Sequence, residues 1–418
     1  MTGTGVTRRE LLVAAGAAAI GVTATGLVES PPWGTAKRAD ARPAQVASGS
    51  LAFYGDHQPG IATTPPAALL LGAFDVVVTG QAALRDLLRR WSDAARVLMD
   101  GALLSASDLG VVPGDGAAGP ADSGETRGLT AENLTVTFGL GPGVFDGRFG
   151  LAARKPAGFG ALPAMPGDEL DLARSGGDLL IQVCADDAVV AFHAMRQLTR
   201  LAADVAEPRW TQRGFGATAT FRGTQTPRNL FGQKDGTGNP QPGTLGFDPV
   251  VWVQPGDSPD WLAGGSYLAV RRIRMDLLSW DRTPATRQAQ VLGRDPVTGA
   301  PLSGGTEFTA PDFGAVDSQG RPRIAADAHV RLANPAFNGG AEMLRRGYNY
   351  DDGAAGNDDA GLVFLAYVRD LASQFTPVLR ALADGDAMHA FLTHTASAVF
   401  AIPPGCRPGG YVGDSLLG

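Results

Sequence analysis

The chain has 418 residues, of which 44% are hydrophobic and 18% are charged, and its formal net charge is −7. This composition is typical of a globular protein and excludes a disordered chain, while the negative charge provides no electrostatic footprint for nucleic acid. The length allows two domains or one large fold with an internal duplication. With only two cysteines, Cys184 and Cys406, a disulfide framework and a cysteine-based zinc site are excluded. One disulfide between these two residues is still possible from the sequence. The favoured interpretation is that both are small hydrophobic residues.

Residues 1–47 have the pattern of a twin-arginine export signal followed by a linker. Arg8-Arg9 precede a weakly hydrophobic, uncharged run from Leu11 to Val28, and small residues near Thr23 and Ala47 offer cleavage points. A lone transmembrane anchor is the alternative, and the many alanines, glycines and threonines make it a poor one. Because the twin-arginine route carries folded proteins, the signal predicts a periplasmic or secreted protein that acquires a cofactor before export.

Hydrophobic periodicity predicts the first elements after Leu51. A short β-branched run at Val76 to Val78 predicts a strand, and apolar residues at helical spacing predict a helix over 81–99. Residues 104–130, rich in Gly, Ser, Asp and Pro, predict a long loop before a strand over 133–138.

Two later segments repeat the same order of elements. A strand from Leu179 is followed by a helix cap at Asp186-Asp187 and a helix through Leu201, and the same order begins again 183 residues later at Leu362. A second pair, residues 76–99 and the segment from Tyr267 past Asp276, fits less well. With chance similarity as the alternative, the repeat predicts an α+β fold of two halves, residues 48–215 and 216–418, each an antiparallel sheet with helices on one face.

The most distinctive motif is Gly232-Gln233-Lys234-Asp235-Gly236-Thr237, which places one carboxylate between two glycines. Glycines let the backbone turn sharply and approach a flat ligand closely, so Asp235 is a candidate for acid–base chemistry above a cofactor. An ordinary Asp-Gly turn is the alternative.

Of the five histidines, His329 is the candidate ligand, because a guanidinium pair at Arg345 and Arg346 follows 16 and 17 residues later across a Gly-rich turn. His57 lies in a dense loop that is also a functional candidate. His193 is interpreted as a core or surface residue, and His389 and His394 as structural.

An imidazole, a carboxylate and an arginine form a usable set for cleaving peroxide on haem. Neutral imidazole bound to ferric iron favours O–O cleavage on the opposite face. A carboxylate there can take a proton from hydrogen peroxide and deliver it to the departing oxygen, and a fixed positive charge keeps that carboxylate ionised and stabilises the charge on the leaving oxygen.

Four motifs together carry a family resemblance: Phe53-Tyr54-Gly55-Asp56-His57-Gln58-Pro59-Gly60-Ile61, Arg228 to Thr237, His329 to Pro335 and Leu344 to Tyr350. From about Leu51 to the end, the chain resembles dye-decolourising (DyP-type) haem peroxidases, most closely the exported deferrochelatase/peroxidase branch. The resemblance implies two ferredoxin-like halves, with one haem b per chain in the second.

By this resemblance, Asp235 and Arg345 are the distal catalytic pair and His329 is the proximal ligand of the haem iron, with Arg346 as the neighbour that Arg345 could be confused with. The remaining haem-lining positions implied are Gly236, Thr237, Gly238, Asn334, Pro335 and Ala336. Asp370 is either the partner of the His329 Nδ1 or a helix cap. Gln233 departs from the family pattern, in which an aromatic residue is usual.

The resemblance implies a peroxidase that uses hydrogen peroxide to oxidise a dye-type donor or ferrous iron. The alternative is a deferrochelatase that releases iron from haem for an iron-uptake system. No nucleic acid and no stable membrane span are expected, and a homodimer is one of the assemblies the sequence allows. The acidic stretch Asp351 to Asp359 is interpreted as solvated in preference to a calcium loop, because it lacks alternating ligand spacing.

Overall fold

The structure is a computed structural model that describes residues 49–108, 120–216, 225–257, 259–353 and 359–418. These residues belong to one compact unit that starts at Val46. The predicted export signal and linker at 1–47 lie outside the described residues. Within the described ranges, no helix combines the length and the apolar character that a membrane crossing requires.

The first half has the order βαββαβ of a ferredoxin-like fold. Its strands pair antiparallel in the order β2-β3-β1-β4, and its two helices are amphipathic. The predicted helix over 81–99 is confirmed as α1, whose apolar positions from Leu84 to Leu98 are buried. The elements are β1 (Ala68–Val76), α1 (Gln81–Met99), β2 (Thr135–Leu140), β3 (Leu179–Ala185), α2 (Ala188–Ala202) and β4 (Ala206–Phe215).

The second half repeats this order with extra helices and a split second strand. Its strands pair in the order β9-β5-β8-β7, with β6 also on β8. The α+β fold with two ferredoxin-like halves is therefore confirmed. The elements are α3 (Phe247–Val251), β5 (Ser266–Met275), α4 (Leu277–Arg282), α5 (Ala285–Leu292), α6 (His329–Leu332), β6 (Leu344–Arg345), β7 (Tyr348–Asp351), β8 (Ala360–Val368), α7 (Thr376–Gly385), β9 (Leu392–Ile402) and α8 (Asp414–Leu417).

The strands of the two halves form one continuous sheet that closes on itself. Two short seams join the halves, one where Leu140 of β2 pairs with Ala401 of β9 and one where Phe215 of β4 pairs with Asn349 of β7. Buried side chains from both halves pack together as one apolar cluster that includes Leu180, Leu268 and Phe400. This cluster forms the core between the halves.

One sequence-based expectation needs correction, and one open alternative is excluded. The β-branched run at Val76 to Val78 is only the end of β1, and Val77 is 53% exposed. Most of the strand is the preceding segment, which contains Ala, Leu and Gly. The β-propensity of Ala and Gly does not favour a strand there, but the segment pairs with both β3 and β4 and is therefore buried in the sheet. Cys184 and Cys406 are both free and buried, so the bridge does not form and their interpretation as small buried residues is confirmed.

The described part of the acidic stretch forms an ion-pair cluster. Asp352 and Asp359 each accept from the Nη2 of Arg272, at 3.0 and 2.7 Å, and the Arg272 guanidinium lies 4.0 Å from the centre of the Tyr350 ring. Arg272 is only 5% exposed and needs this counter-charge. The two carboxylates therefore compensate a buried arginine, which corrects their interpretation as simply solvated groups.

His394 gives the fold a predicted acid sensitivity. Burial lowers the pKa of His394 to about 3, with help from Arg271, whose Nε lies 3.0 Å from Nδ1 and donates to it. Between pH 6.5 and about 3, the unfolded chain binds a proton that the native imidazole does not, so stability falls as the pH falls. We expect a loss of up to about 1.4 kcal/mol per pH unit in this window. Thermal midpoints from pH 7 to 4.5 should fall less steeply in His394→Gln, which keeps an acceptor for Arg271, and an unchanged slope would contradict this assignment.

Candidate active site

Asp235 is held by its backbone and by one amide side chain. Its N–H donates to the carbonyl of Pro227 at 2.8 Å, and the Nδ2 of Asn229 lies 3.4 Å from its Oδ2. Gly236, the next residue, has φ +145°, a conformation that L side chains rarely adopt. The carboxylate remains 27% exposed, so it is available to a small molecule.

Arg345 faces the same opening. Its Nη1 lies 3.6 Å from the Oδ1 of Asp235, and its Nη2 donates to the carbonyl of Thr237 at 2.9 Å. The side-chain amide of Asn239 holds the Arg345 backbone on both sides, donating to its carbonyl and accepting from its N–H at 2.9 and 2.8 Å. A carboxylate and a guanidinium are thus fixed side by side without a direct hydrogen bond between them.

Arg346 points elsewhere. Its side chain is 3% exposed, and its Nη1 donates to the carbonyls of Ile61 and Thr63 in the interior. Consecutive residues of an extended chain place their side chains on opposite faces, so only one arginine of the pair can reach Asp235. The geometry brings Arg345, and not Arg346, to the Asp235 carboxylate.

His329 begins α6 and is oriented by Asp386. The His329 Nδ1 and the Asp386 Oδ2 are 2.5 Å apart, and the Asp386 side chain is 3% exposed. Burial acts to lower the pKa of His329, but the carboxylate of Asp386 outweighs it, so the pKa lies above its ordinary value. The Nε2 atom has no hydrogen-bond partner among the described residues, and the ring is 30% exposed.

Asp370 does not hold His329, which corrects one of the two sequence-based interpretations. Its Oδ1 accepts from the N–H and the hydroxyl of Ser373, at 2.7 and 2.6 Å. It caps the π-helical turn Leu371–Phe375 that precedes α7. The helix-cap alternative is confirmed.

The residues fit a haem iron between His329 and the distal pair. The charges of Asp235 and Arg345 both act on the pKa of His329, so the three side chains share one electrostatic neighbourhood. An imidazole with its Nδ1 tied to a carboxylate and its Nε2 free is the usual form of a histidine that binds iron. Asp235 and Arg345 provide a carboxylate and a guanidinium, and a Cβ added at Gly238 would meet no atom of the described residues within 4 Å.

The predicted haem-lining residues form two short segments. Thr237 turns its hydroxyl to Glu307 at 2.9 Å. Asn334 caps the turn Pro335–Phe337, and its Oδ1 accepts from the N–H of Ala336 at 3.0 Å. Because this turn directly follows α6, it lies next to His329 in the chain.

Glu307 was missed by the sequence analysis, although it supports the segment that carries Asp235. Its carboxylate accepts from the Nζ of Lys234 and from the hydroxyls of Thr226 and Thr237. Burial acts to raise the pKa of Glu307, but these hydrogen bonds outweigh it, and the pKa lies below its ordinary value. Glu307 is therefore an anion that clamps the residues on both sides of Asp235.

The remaining histidines have structural contacts. His57 stacks on Trp252 with ring centroids 3.8 Å apart, and its Nδ1 lies 2.6 Å from the carbonyl of Gly264. His193 is buried between Glu125 and Asp122. Gln233, where the family pattern has an aromatic residue, is 2% exposed, and its Oε1 has no hydrogen-bond partner in the part of the chain that the structure describes.

Comparisons with known proteins match both halves of the chain. The family described as Dyp-type peroxidase, N-terminal, matches residues 58–216, and the family described as Dyp-type peroxidase, C-terminal, matches residues 226–407. Among curated proteins, the chain is 37% identical over 412 residues to a deferrochelatase of Escherichia coli O157:H7, covering 95% of each chain.

Solved structures are also similar. Ferric DtpA from Streptomyces lividans is 42% identical, with a TM-score of 0.81 over 90% of this chain and 100% of that one. A DyP-type peroxidase from Cellulomonas bogoriensis is 38% identical, with a TM-score of 0.79 over 88% of this chain and 99% of that one.

Proposed function

The chain belongs to the Dyp-type peroxidase family, and we propose that Asp235, Arg345 and His329 form the site at which this haem-dependent peroxidase cleaves hydrogen peroxide. The observation that carries this assignment is the carboxylate–guanidinium pair, 3.6 Å apart, whose charges both act on the pKa of His329. Haem, when bound, supplies the redox-active iron that takes up the oxidising equivalents of peroxide.

Asp235 moves the proton in this proposal. Its carboxylate takes the proton from one peroxide oxygen and delivers it to the other, which departs as water. Arg345 stabilises the negative charge that develops on the departing oxygen. When haem is bound, His329 would hold its iron through Nε2, while Asp386 fixes the ring and raises its basicity.

The test of this function is turnover by the haem-loaded protein. We expect hydrogen peroxide to support oxidation of a dye-type donor or of ferrous iron, with loss of turnover when peroxide is omitted. A protein that binds haem yet oxidises neither donor would contradict the proposal.

Glu307 is a positioning residue in this scheme. Glu307→Gln removes the charge that holds Lys234, Thr226 and Thr237 around the Asp235 segment. We expect kcat/KM for peroxide to fall about tenfold or more, because small displacements of reacting groups are costly. Glu207→Gln, on an exposed carboxylate of β4, is the matched control. Amide hydrogen exchange over 234–238 should also accelerate in haem-free Glu307→Gln only, and equal exchange in both variants would remove the positioning role.

The second candidate function is deferrochelation, the activity named for curated relatives that are 37% identical. It would release iron from haem for an iron-uptake partner. Incubating the pure protein with haem and a reductant and assaying free porphyrin separates the two, since porphyrin release supports deferrochelation, whereas brisk peroxidase turnover without release supports the first function alone.

We further propose that residues 1–47 direct export by the twin-arginine route, on the basis of Arg8-Arg9 and the weakly hydrophobic run that follows. The two halves would divide near residue 216, a proposal supported by the family matches at 58–216 and 226–407. Arg8→Lys with Arg9→Lys should retain the protein in the cytoplasm, as measured by fractionation.

A further inference from the structure

Asp235 and Arg345 are held apart and do not close into a direct ion pair. The Nη1 of Arg345 and the Oδ1 of Asp235 are 3.6 Å apart, and both side chains are partly exposed. A guanidinium and a carboxylate that are free to move approach to about 2.8 Å and form two parallel hydrogen bonds. A restraint on one of the two groups therefore keeps them apart.

The backbone of Arg345 lies at an outer edge of β6. Among the described strands, β6 pairs only with β8. The N–H of Arg346 donates to the carbonyl of Leu365 on β8 at 2.9 Å. Because the backbone groups of successive residues alternate in direction, the N–H and the carbonyl of Arg345 point away from β8. These two groups need a partner from elsewhere in the fold.

The side-chain amide of Asn239 is the partner of both groups. Its Nδ2 donates to the Arg345 carbonyl at 2.9 Å, and its Oδ1 accepts from the Arg345 N–H at 2.8 Å. An amide side chain carries a donor and an acceptor next to each other, so it can take the place of a peptide group in a further strand. The two hydrogen bonds join residues 106 positions apart in the chain.

Asn239 belongs to the same short segment as Asp235. Its own N–H donates to the carbonyl of Gly236 at 3.2 Å, which closes a turn directly after Asp235. In the same segment, the carbonyl of Thr237 accepts from the Arg345 Nη2 at 2.9 Å. The segment that carries the carboxylate therefore also fixes the backbone of Arg345 and one nitrogen of its guanidinium.

We propose that Asn239 is a positioning residue that keeps Arg345 from closing onto Asp235. A direct ion pair would engage the carboxylate oxygens that the proposed function needs free to accept the peroxide proton. With Asn239 in place, the guanidinium stays beside the carboxylate and stabilises charge on the departing oxygen. This inference rests on the proposed function, because Asn239 acts on the reaction through Arg345.

A double-mutant cycle tests the proposal. In the haem-loaded protein, we expect Asn239→Ala to lower kcat/KM for hydrogen peroxide about tenfold or more, because small displacements of reacting groups are costly. In an Arg345→Leu background, the same substitution should change kcat/KM by less than about twofold, whereas residues that act independently have additive effects on free energy. Gln319→Ala, which removes an exposed amide side chain elsewhere in the chain, is the control and should react like the wild-type protein.

A crystal structure of Asn239→Ala provides a readout besides activity. The Arg345 guanidinium should lie in direct hydrogen-bond contact with Asp235, and an unchanged separation of 3.6 Å would overturn the proposal. Equal losses of kcat/KM in both backgrounds would also overturn it, because Asn239 would then act independently of Arg345. If Asn239→Ala does not fold, Asn239→Asp serves in both measurements, since it keeps the acceptor and removes the donor.

The kinetic outcomes also separate this inference from the proposed function. A slow Arg345→Leu protein beside an Asn239→Ala protein with wild-type kinetics would overturn the positioning role alone. An Arg345→Leu protein that reacts at the wild-type rate would overturn the catalytic role of Arg345, and the positioning role of Asn239 with it.

Discussion

Asp235→Asn is expected to lower kcat/KM for hydrogen peroxide by about 10²- to 10⁴-fold while leaving haem binding unchanged. The amide has nearly the shape of the carboxylate but cannot accept the peroxide proton, and general acid–base groups contribute about this much to rate. Asn229 and the backbone of Pro227 hold residue 235 in place in either case. The measurement is the second-order rate of reaction with peroxide, followed by the change in the haem absorption spectrum.

Asp248→Asn is the matched control, because this carboxylate is exposed in the first turn of α3 and no proposed chemistry uses it. Arg345→Leu should also slow the reaction, since it removes the guanidinium that stabilises the negative charge on the departing oxygen. Peroxide kinetics of Asp235→Asn equal to those of Asp248→Asn would exclude Asp235 as the proton carrier and would leave the family assignment intact.

The residues of the site that the sequence predicts are those that lie in linear motifs. Asp235 between two glycines, His329 before Asn334-Pro335 and the arginine pair each have a local pattern, and the structure brings all three motifs together. The choice between Arg345 and Arg346 depends on the pleat of the chain, which alternates side chains between the opening and the interior. The sequence alone does not indicate which of the two consecutive arginines points toward Asp235 and which points into the interior.

The supporting carboxylates could not be predicted in the same way. Asp386 lies 57 residues after His329, and Glu307 lies 73 residues after Lys234. The local sequence around Asp386 indicates only a helix cap. Asp386 does cap a helical turn, since its Oδ1 accepts from the N–H of Met388 at 2.9 Å. Asp370 has the same local signal, so only the tertiary fold distinguishes the two.

The fold shows the same division between local and long-range information. Periodicity is sufficient for α1 and for the repeated strand–helix order, because each element buries one face of its own. The seams that close the sheet each depend on one pair of residues in different halves, such as Leu140 with Ala401. Pairs so distant in the chain leave no pattern in either segment.

His329→Ala is expected to abolish the haem absorption band of the purified protein, because it removes the imidazole that Asp386 orients through Nδ1 and whose Nε2 has no hydrogen-bond partner among the described residues. Asp386→Asn should retain haem but weaken its affinity by about 10- to 100-fold, as is typical when the partner of a ligating histidine is lost. Asp370→Asn is the control, since it removes a helix-capping carboxylate that does not contact His329.

Haem titration followed by absorption ranks the haem affinities of the wild-type protein and the three variants, and two results would contradict the scheme. An intact band in His329→Ala would move the iron ligand to another histidine, whereas equal affinities for Asp386→Asn and Asp370→Asn would show that the 2.5 Å contact does not orient the ligand.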